Sequence, residues 1–94
     1  MALEFEWDDE KAESNFKKHG VSFDEATTVF LDPLSITIPD PLHSEEEDRF
    51  VLLGESCLGR ILVVVHGERG DNIRIISARE ATRREKRTYA EGED

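Results

Sequence analysis

Apolar positions along this chain change their spacing twice. In Phe5-Glu6-Trp7 they alternate with a charge, which predicts a brief strand ending at Asp8. The spacing then widens to that of a helix. Asp8 can cap it, Asp9 and Glu10 suit the positive end of its dipole, Lys17, Lys18 and His19 suit the negative end, and Gly20 is a good left-handed stop. Ala12, Phe16 and His19 fall on one face. Ser22 and Glu25 have capping-box spacing for a second helix, with Val21 and Ala26 as its hydrophobic staple and Phe23, Ala26 and Phe30 as its buried stripe. Asp32-Pro33 ends that helix.

From Leu34 the period becomes two: Leu34, Ile36 and Ile38 alternate with Ser35 and Thr37, and Pro39-Asp40-Pro41 closes the strand. The acidic stretch from His43 to Asp48 is a connector. Three more strands are expected near 49–56, 60–67 and 72–79, separated by Cys57-Leu58-Gly59 and Glu68-Arg69-Gly70-Asp71, both short enough for hairpins. Thr82 and Glu85 form a second capping box for a last helix ending before Gly92. This order predicts an α+β fold: an antiparallel β-meander on a layer formed by two N-terminal helices and one C-terminal helix.

Composition narrows the class. With 94 residues, 37% hydrophobic and 36% charged, the expectation is one small domain spanning 1–94. The longest apolar run, Ile61 to Val65, is far below the ~20 residues that span a bilayer. The start of the chain carries Glu4, Glu6, Asp8 and Asp9 rather than a basic secretory region, so a cytoplasmic location with no membrane contact is expected. Cys57 is the single cysteine and has no partner for an internal disulfide. The net charge of −10 hides an asymmetry: residues 1–48 carry three basic side chains against fourteen acidic ones, whereas residues 60–87 carry eight basic against four acidic. A local positive field can hold phosphate even on an acidic protein, so function is expected in the arginine-rich third.

Three stretches taken together resemble the BrnT family, the toxin halves of bacterial type II toxin–antitoxin pairs. They are Phe5-Glu-Trp-Asp8, Lys18-His-Gly-Val-Ser-Phe-Asp-Glu-Ala26, and Arg60-Ile-Leu-Val-Val-Val-His66 running into Glu68-Arg-Gly-Asp71 and Ile73-Arg-Ile-Ile-Ser-Ala-Arg79. The resemblance covers nearly the whole chain. It implies a RelE-like ribonuclease fold, RNA cleavage without a metal or other cofactor, growth arrest, and neutralisation by a ribbon-helix-helix antitoxin whose complex with the toxin binds operator DNA. The acidity is a departure, since such ribonucleases tend to be basic.

Cleaving RNA without a metal requires a base for the 2′-hydroxyl proton, an acid for the leaving 5′-oxygen and cations for the phosphoryl oxygens. His66 and Glu68, two apart on a strand, would share a face and could supply the acid–base pair; the plainer alternative is a strand-end hydrogen bond and a hairpin side chain. Arg74 and Arg79 could hold the scissile phosphate bidentately or pair with internal carboxylates. These four are the expected catalytic residues. Lys17, Lys18, Arg49, Arg83, Arg84 and Tyr89 form the expected RNA-binding set. Against that, Lys17 and Lys18 also complement a helix dipole, Arg83 and Arg84 also suit a solvated face, and Tyr89 also suits packing on the sheet. His43 beside Glu45, Glu46 and Glu47 looks like an acidic loop rather than a metal site, so no metal is expected. A chain serving only as antitoxin partner and co-repressor, and an acidic mimic of nucleic acid, are the competing classes.

Overall fold

The computed structural model describes residues 3–39 and 49–92. Its elements are β1 (Glu4–Glu6), α1 (Asp9–His19), α2 (Phe23–Thr28) continued by a 3-10 turn (Val29–Leu31), β2 (Ile36–Pro39), β3 (Arg49–Glu55), β4 (Ile61–Arg69), β5 (Asn72–Glu80) and α3 (Arg83–Glu91). The expected connector from His43 to Asp48 lies outside the described residues.

Local chemistry sets the helix ends as the sequence suggests. Asp8 accepts from the Glu10 amide at 2.8 Å, and Gly20 takes φ 69° while donating its N–H to the Phe16 carbonyl at 2.8 Å. The inward face of α1 differs from the expected one. Phe16 is exposed and Asn15 is buried instead, because its amide fits between two backbones. Its Nδ2 donates to the carbonyls of Val21 at 3.0 Å and Ala78 at 2.9 Å, and its Oδ1 accepts from the Ala78 N–H at 3.2 Å. A fully satisfied buried amide fixes α1 against β5 where an apolar contact would leave the β5 backbone unpaired.

The capping box at the start of α2 is half made. Ser22 Oγ accepts from the Glu25 amide at 3.0 Å, but the Glu25 carboxylate turns away into the protein. There it accepts from Ser56 Oγ at 2.6 Å and from Arg60, through Nε at 3.0 Å and through Nη2. Arg60 Nη2 also donates to the Gly20 carbonyl at 3.1 Å, so one guanidinium ties the β3–β4 hairpin to both N-terminal helices. The Arg60 hydrogen bond holds the Glu25 carboxyl below the usual carboxylate range against the opposing effect of burial.

Strand order in the sheet is β1-β5-β4-β3-β2. Strands β2 to β5 form the expected antiparallel meander, but β1 adds to it in parallel, with Phe5 beside Ile73, so the sheet is mixed. A three-residue run carries no signal of its partner, and this pairing joins the first strand to the last. Leu34, expected in a strand, lies in a turn made by Asp32, whose Oδ1 accepts from the Leu34 N–H at 2.9 Å. Gly54 lets that turn approach, since a Cβ there would stand 2.9 Å from both Ser35 Cβ and Val29 Cγ1.

The helices do not form one layer. Leu52, Leu62, Val64, Ile75 and Ala78 project from one sheet face onto Val21, Phe23, Ala26 and Val29 of the α1–α2 side. Leu53 and Val63 project from the other face and pack with Ala81, Val51, Ile61 and Tyr89 of α3. Adjacent residues of β3 and β4 are apolar, so both faces need cover, and α3 supplies the second.

Candidate functional site

A register shift decides what the outer, α3-bearing face presents. Val65 pairs with Ser77 but His66 pairs with Ile75, so Ile76 has no partner across β4. Under unbroken alternation Arg74 would share a face with the buried Ala78. The bulge turns it over, placing Arg74 and Arg79 on the same outer face. Arg49, Gly67, Arg74 and Glu6 then form a row across β3, β4, β5 and β1, with the glycine between two arginines.

Beside this row, at the β4–β5 hairpin end, a cavity of about 190 Å³ is lined by Gly67, Glu68, Arg69 and Arg74. Arg69 Nη1 lies 3.6 Å from Glu6 Oε2, and Asn72 Nδ2 donates to Glu6 Oε1 at 3.0 Å. Among the described residues Arg74 has neither an ion-pair partner nor a hydrogen-bond partner. A half-buried guanidinium in that state is a ready anion site. Arg69 was not singled out by the sequence; its position one residue past Glu68 before a tight turn was the available signal.

The other expected site residues are placed elsewhere. His66 faces the inner core, with its ring 4.9 Å from Phe30 edge-on and 5.7 Å from Phe50 stacked. It is 6% exposed and, among the described residues, neither ring nitrogen has a hydrogen-bond partner, so no strand-end hydrogen bond is made there and the side chain is core. Burial lowers its pKa, leaving the ring neutral. Arg79 is bound bidentately by Glu85, Nη1 to Oε1 at 2.8 Å and Nη2 to Oε2 at 2.9 Å. That contact holds the Glu85 carboxyl down at about 2. Glu85 Oε1 also accepts from the Thr82 N–H at 2.8 Å, completing the α3 capping box, so Arg79 anchors a helix.

Tyr89 Oη donates to Asp32 Oδ2 at 2.6 Å, which pushes the phenol up to about 12 and fixes the far end of α3. Lys17 sits 3.3 Å from Glu13 on the exposed side of α1, and Lys18 is exposed beside it. Both belong to the layer on the opposite side of the sheet from Arg74. Arg83 and Arg84 are exposed on α3. The fold thus brings Glu68 and Arg74 to the wall of one cavity at the hairpin end, although Glu68 pairs with Ile73 on the inner side of the sheet and Arg74 with Gly67 on the outer; Arg49 is aligned in the Arg74 row, and the other expected residues lie elsewhere. No cluster of three or more His, Cys, Asp or Glu suited to a metal, and no helix long and apolar enough to cross a membrane, occurs among the described residues.

The fold is similar to that of the Brucella abortus ribonuclease toxin BrnT in its 1.1 Å crystal structure, with a TM-score of 0.69 and 24% identity over 87% of this chain and 100% of that one. No curated protein sequence matches the chain. The family described as "Ribonuclease toxin, BrnT, of type II toxin-antitoxin system" matches residues 7–85. That span includes the α1–α2 layer, all of the sheet from β2 to β5 and the first turn of α3, and the chain belongs to the BrnT toxin family.

Proposed function

We propose that this BrnT-family chain is a metal-independent endoribonuclease that holds RNA on the open half of the outer sheet face. The observation that carries the reading is the cavity walled by Gly67, Glu68, Arg69 and Arg74, the last a guanidinium with no ion-pair partner among the described residues. Arg74 grips the scissile phosphate, and Arg49, next but one along the row, contacts the neighbouring backbone. Glu68, which borders the same cavity at the β4–β5 hairpin end, takes the 2′-hydroxyl proton, the 2′-oxygen attacks phosphorus, and the P–O5′ bond breaks to give a 2′,3′-cyclic phosphate and a 5′-hydroxyl that draws its proton from water. His66 has no place in this scheme, because its nitrogens lie out of solvent behind Phe30 and Phe50. Lys17, Lys18, Arg83, Arg84 and Tyr89 have no place at the scissile phosphate.

The setting is a cytoplasmic, RelE-like toxin neutralised by a ribbon-helix-helix antitoxin, with operator DNA bound only through the complex. Purified protein incubated with labelled RNA in excess EDTA tests the chemistry: cleavage lost in Glu68→Gln and Arg74→Ala supports it, and cleavage that disappears with EDTA overturns metal independence.

A second reading is favoured by the ion pairs. Arg60 is taken by Glu25 and Glu80, Arg79 by Glu85 and Arg69 by Glu6, so much of the positive field in 60–87 is neutralised internally. On that reading the chain is a catalytically weak antitoxin partner and co-repressor. Normal growth on expression of soluble, folded protein without antitoxin selects it.

A further inference from the structure

We infer that the β2 margin of the sheet, and not the arginine face, is where the antitoxin docks; this rests on the toxin–antitoxin reading above. The two sheet margins differ in kind. β1 carries Glu4 and Glu6, charges that discourage another strand from pairing, whereas β2 is Ile36-Thr37-Ile38-Pro39 and carries none. Six large apolar side chains are exposed among the described residues, and three of them lie within this one margin and its turn: Leu31 at 79%, Leu34 at 71% and Ile38 at 51%. Hollows flank them. One of about 290 Å³ is lined by Leu34, Ile36, Tyr89 and Ala90, and one of about 330 Å³ by Leu31, Asp32, Glu55 and Cys57. An apolar strip on a strand that no other described strand pairs on its outer side, with pockets on either side, suits an extended segment that adds backbone hydrogen bonds and inserts alternate side chains.

Charge selects the occupant. The described residues between Lys18 and the end of β2 hold no lysine or arginine and three carboxylates, and Asp32 and Glu55 line the hollow beside Leu31. A polyanion is repelled there, and a second copy with net charge −10 brings the same sign. A basic polypeptide segment with apolar side chains fits both features, and a protein that binds operator DNA is basic. The antitoxin and RNA therefore use different surfaces, with the antitoxin on the β2 side of α3 and the RNA on the β1–β5 side.

The test is calorimetric titration of the full chain with its proposed ribbon-helix-helix antitoxin. Leu34→Lys/Ile38→Lys should weaken the Kd by at least about 30-fold, and Leu31→Lys by about 10-fold, hot-spot losses of ordinary size at an interface. Melting temperatures should hold, since all three side chains are exposed. Arg74→Ala should leave the Kd within about threefold of wild type, because rim or remote charges contribute little to affinity. An unchanged Kd in both margin variants overturns the inference and leaves the antitoxin reading standing; absence of any complex with the unmodified chain overturns that reading itself. A wild-type dimer in sedimentation that the double variant dissolves gives the margin to a second copy and overturns the inference too.

Discussion

The inner and outer faces of the sheet are built from the same strands and have opposite characters. The inner face is closed: Leu52, Leu62, Val64 and Ile75 meet α1 and α2, and even the imidazole of His66 is sunk between phenyl rings. The outer face is half closed by α3, which has no buried residue of its own and is tied down by Glu85 to Arg79 and Tyr89 to Asp32. Its other half exposes the Arg49-Gly67-Arg74 row. Burial on the inner face supplies the stability that lets the Arg74 guanidinium stand without an ion pair among the described residues on the outer one.

Variants that treat the two faces differently can break this contrast. Arg74→Ala should lower RNA cleavage by about 10²–10³-fold, the usual loss for one donor at a developing anion, with the melting temperature unchanged. Unchanged cleavage would remove the outer face from the chemistry. On the inner face His66→Ala should cost about 2–4 kcal/mol in urea unfolding through the cavity it leaves, while His66→Phe should hold or raise stability by removing two orphaned nitrogens. A folded His66→Phe protein with no cleavage would return the imidazole to the active site.

Acid should separate the faces in two windows. The folded pKa of His66 is depressed, so protonation opposes folding and stability falls as pH drops below about 6.5, the unfolded value; His66→Phe should abolish this limb. Glu85 is also depressed, to about 2 from 4.5, so its contribution is present above 4.5 and is lost as pH falls towards 2. Discounted for the partial exposure of the pair, that loss is about 1 kcal/mol, and Glu85→Gln should flatten it in pH-dependent melts. A loss of similar size, about 0.5–1.5 kcal/mol for one hydrogen bond, is expected from Tyr89→Phe, with faster amide exchange confined to α3.

Much of this was legible in the residues because its causes are local. Asp8, Gly20, Ser22 and Thr82 mark helix ends through bonds to backbone two to four residues away, and the β3–β4 and β4–β5 hairpins follow from alternating runs joined by short turns. The family, too, could be recognised from motif order alone. What the tertiary structure decided depends on partners far along the chain. Glu25 has the spacing of a capping residue, yet a guanidinium 35 residues away claims its carboxylate. Asn15 looks like a polar surface position, and only the β5 backbone makes it core. His66 and Glu68 do follow strand alternation, but spacing along a strand says nothing of what lies above it, and Phe30 and Phe50 close over one of them. Arg74 shows the limit most plainly. Period two assigns it the face of Ala78, and one unpaired residue, Ile76, reverses that, because a bulge is set by the register between strands and not by the sequence of either one.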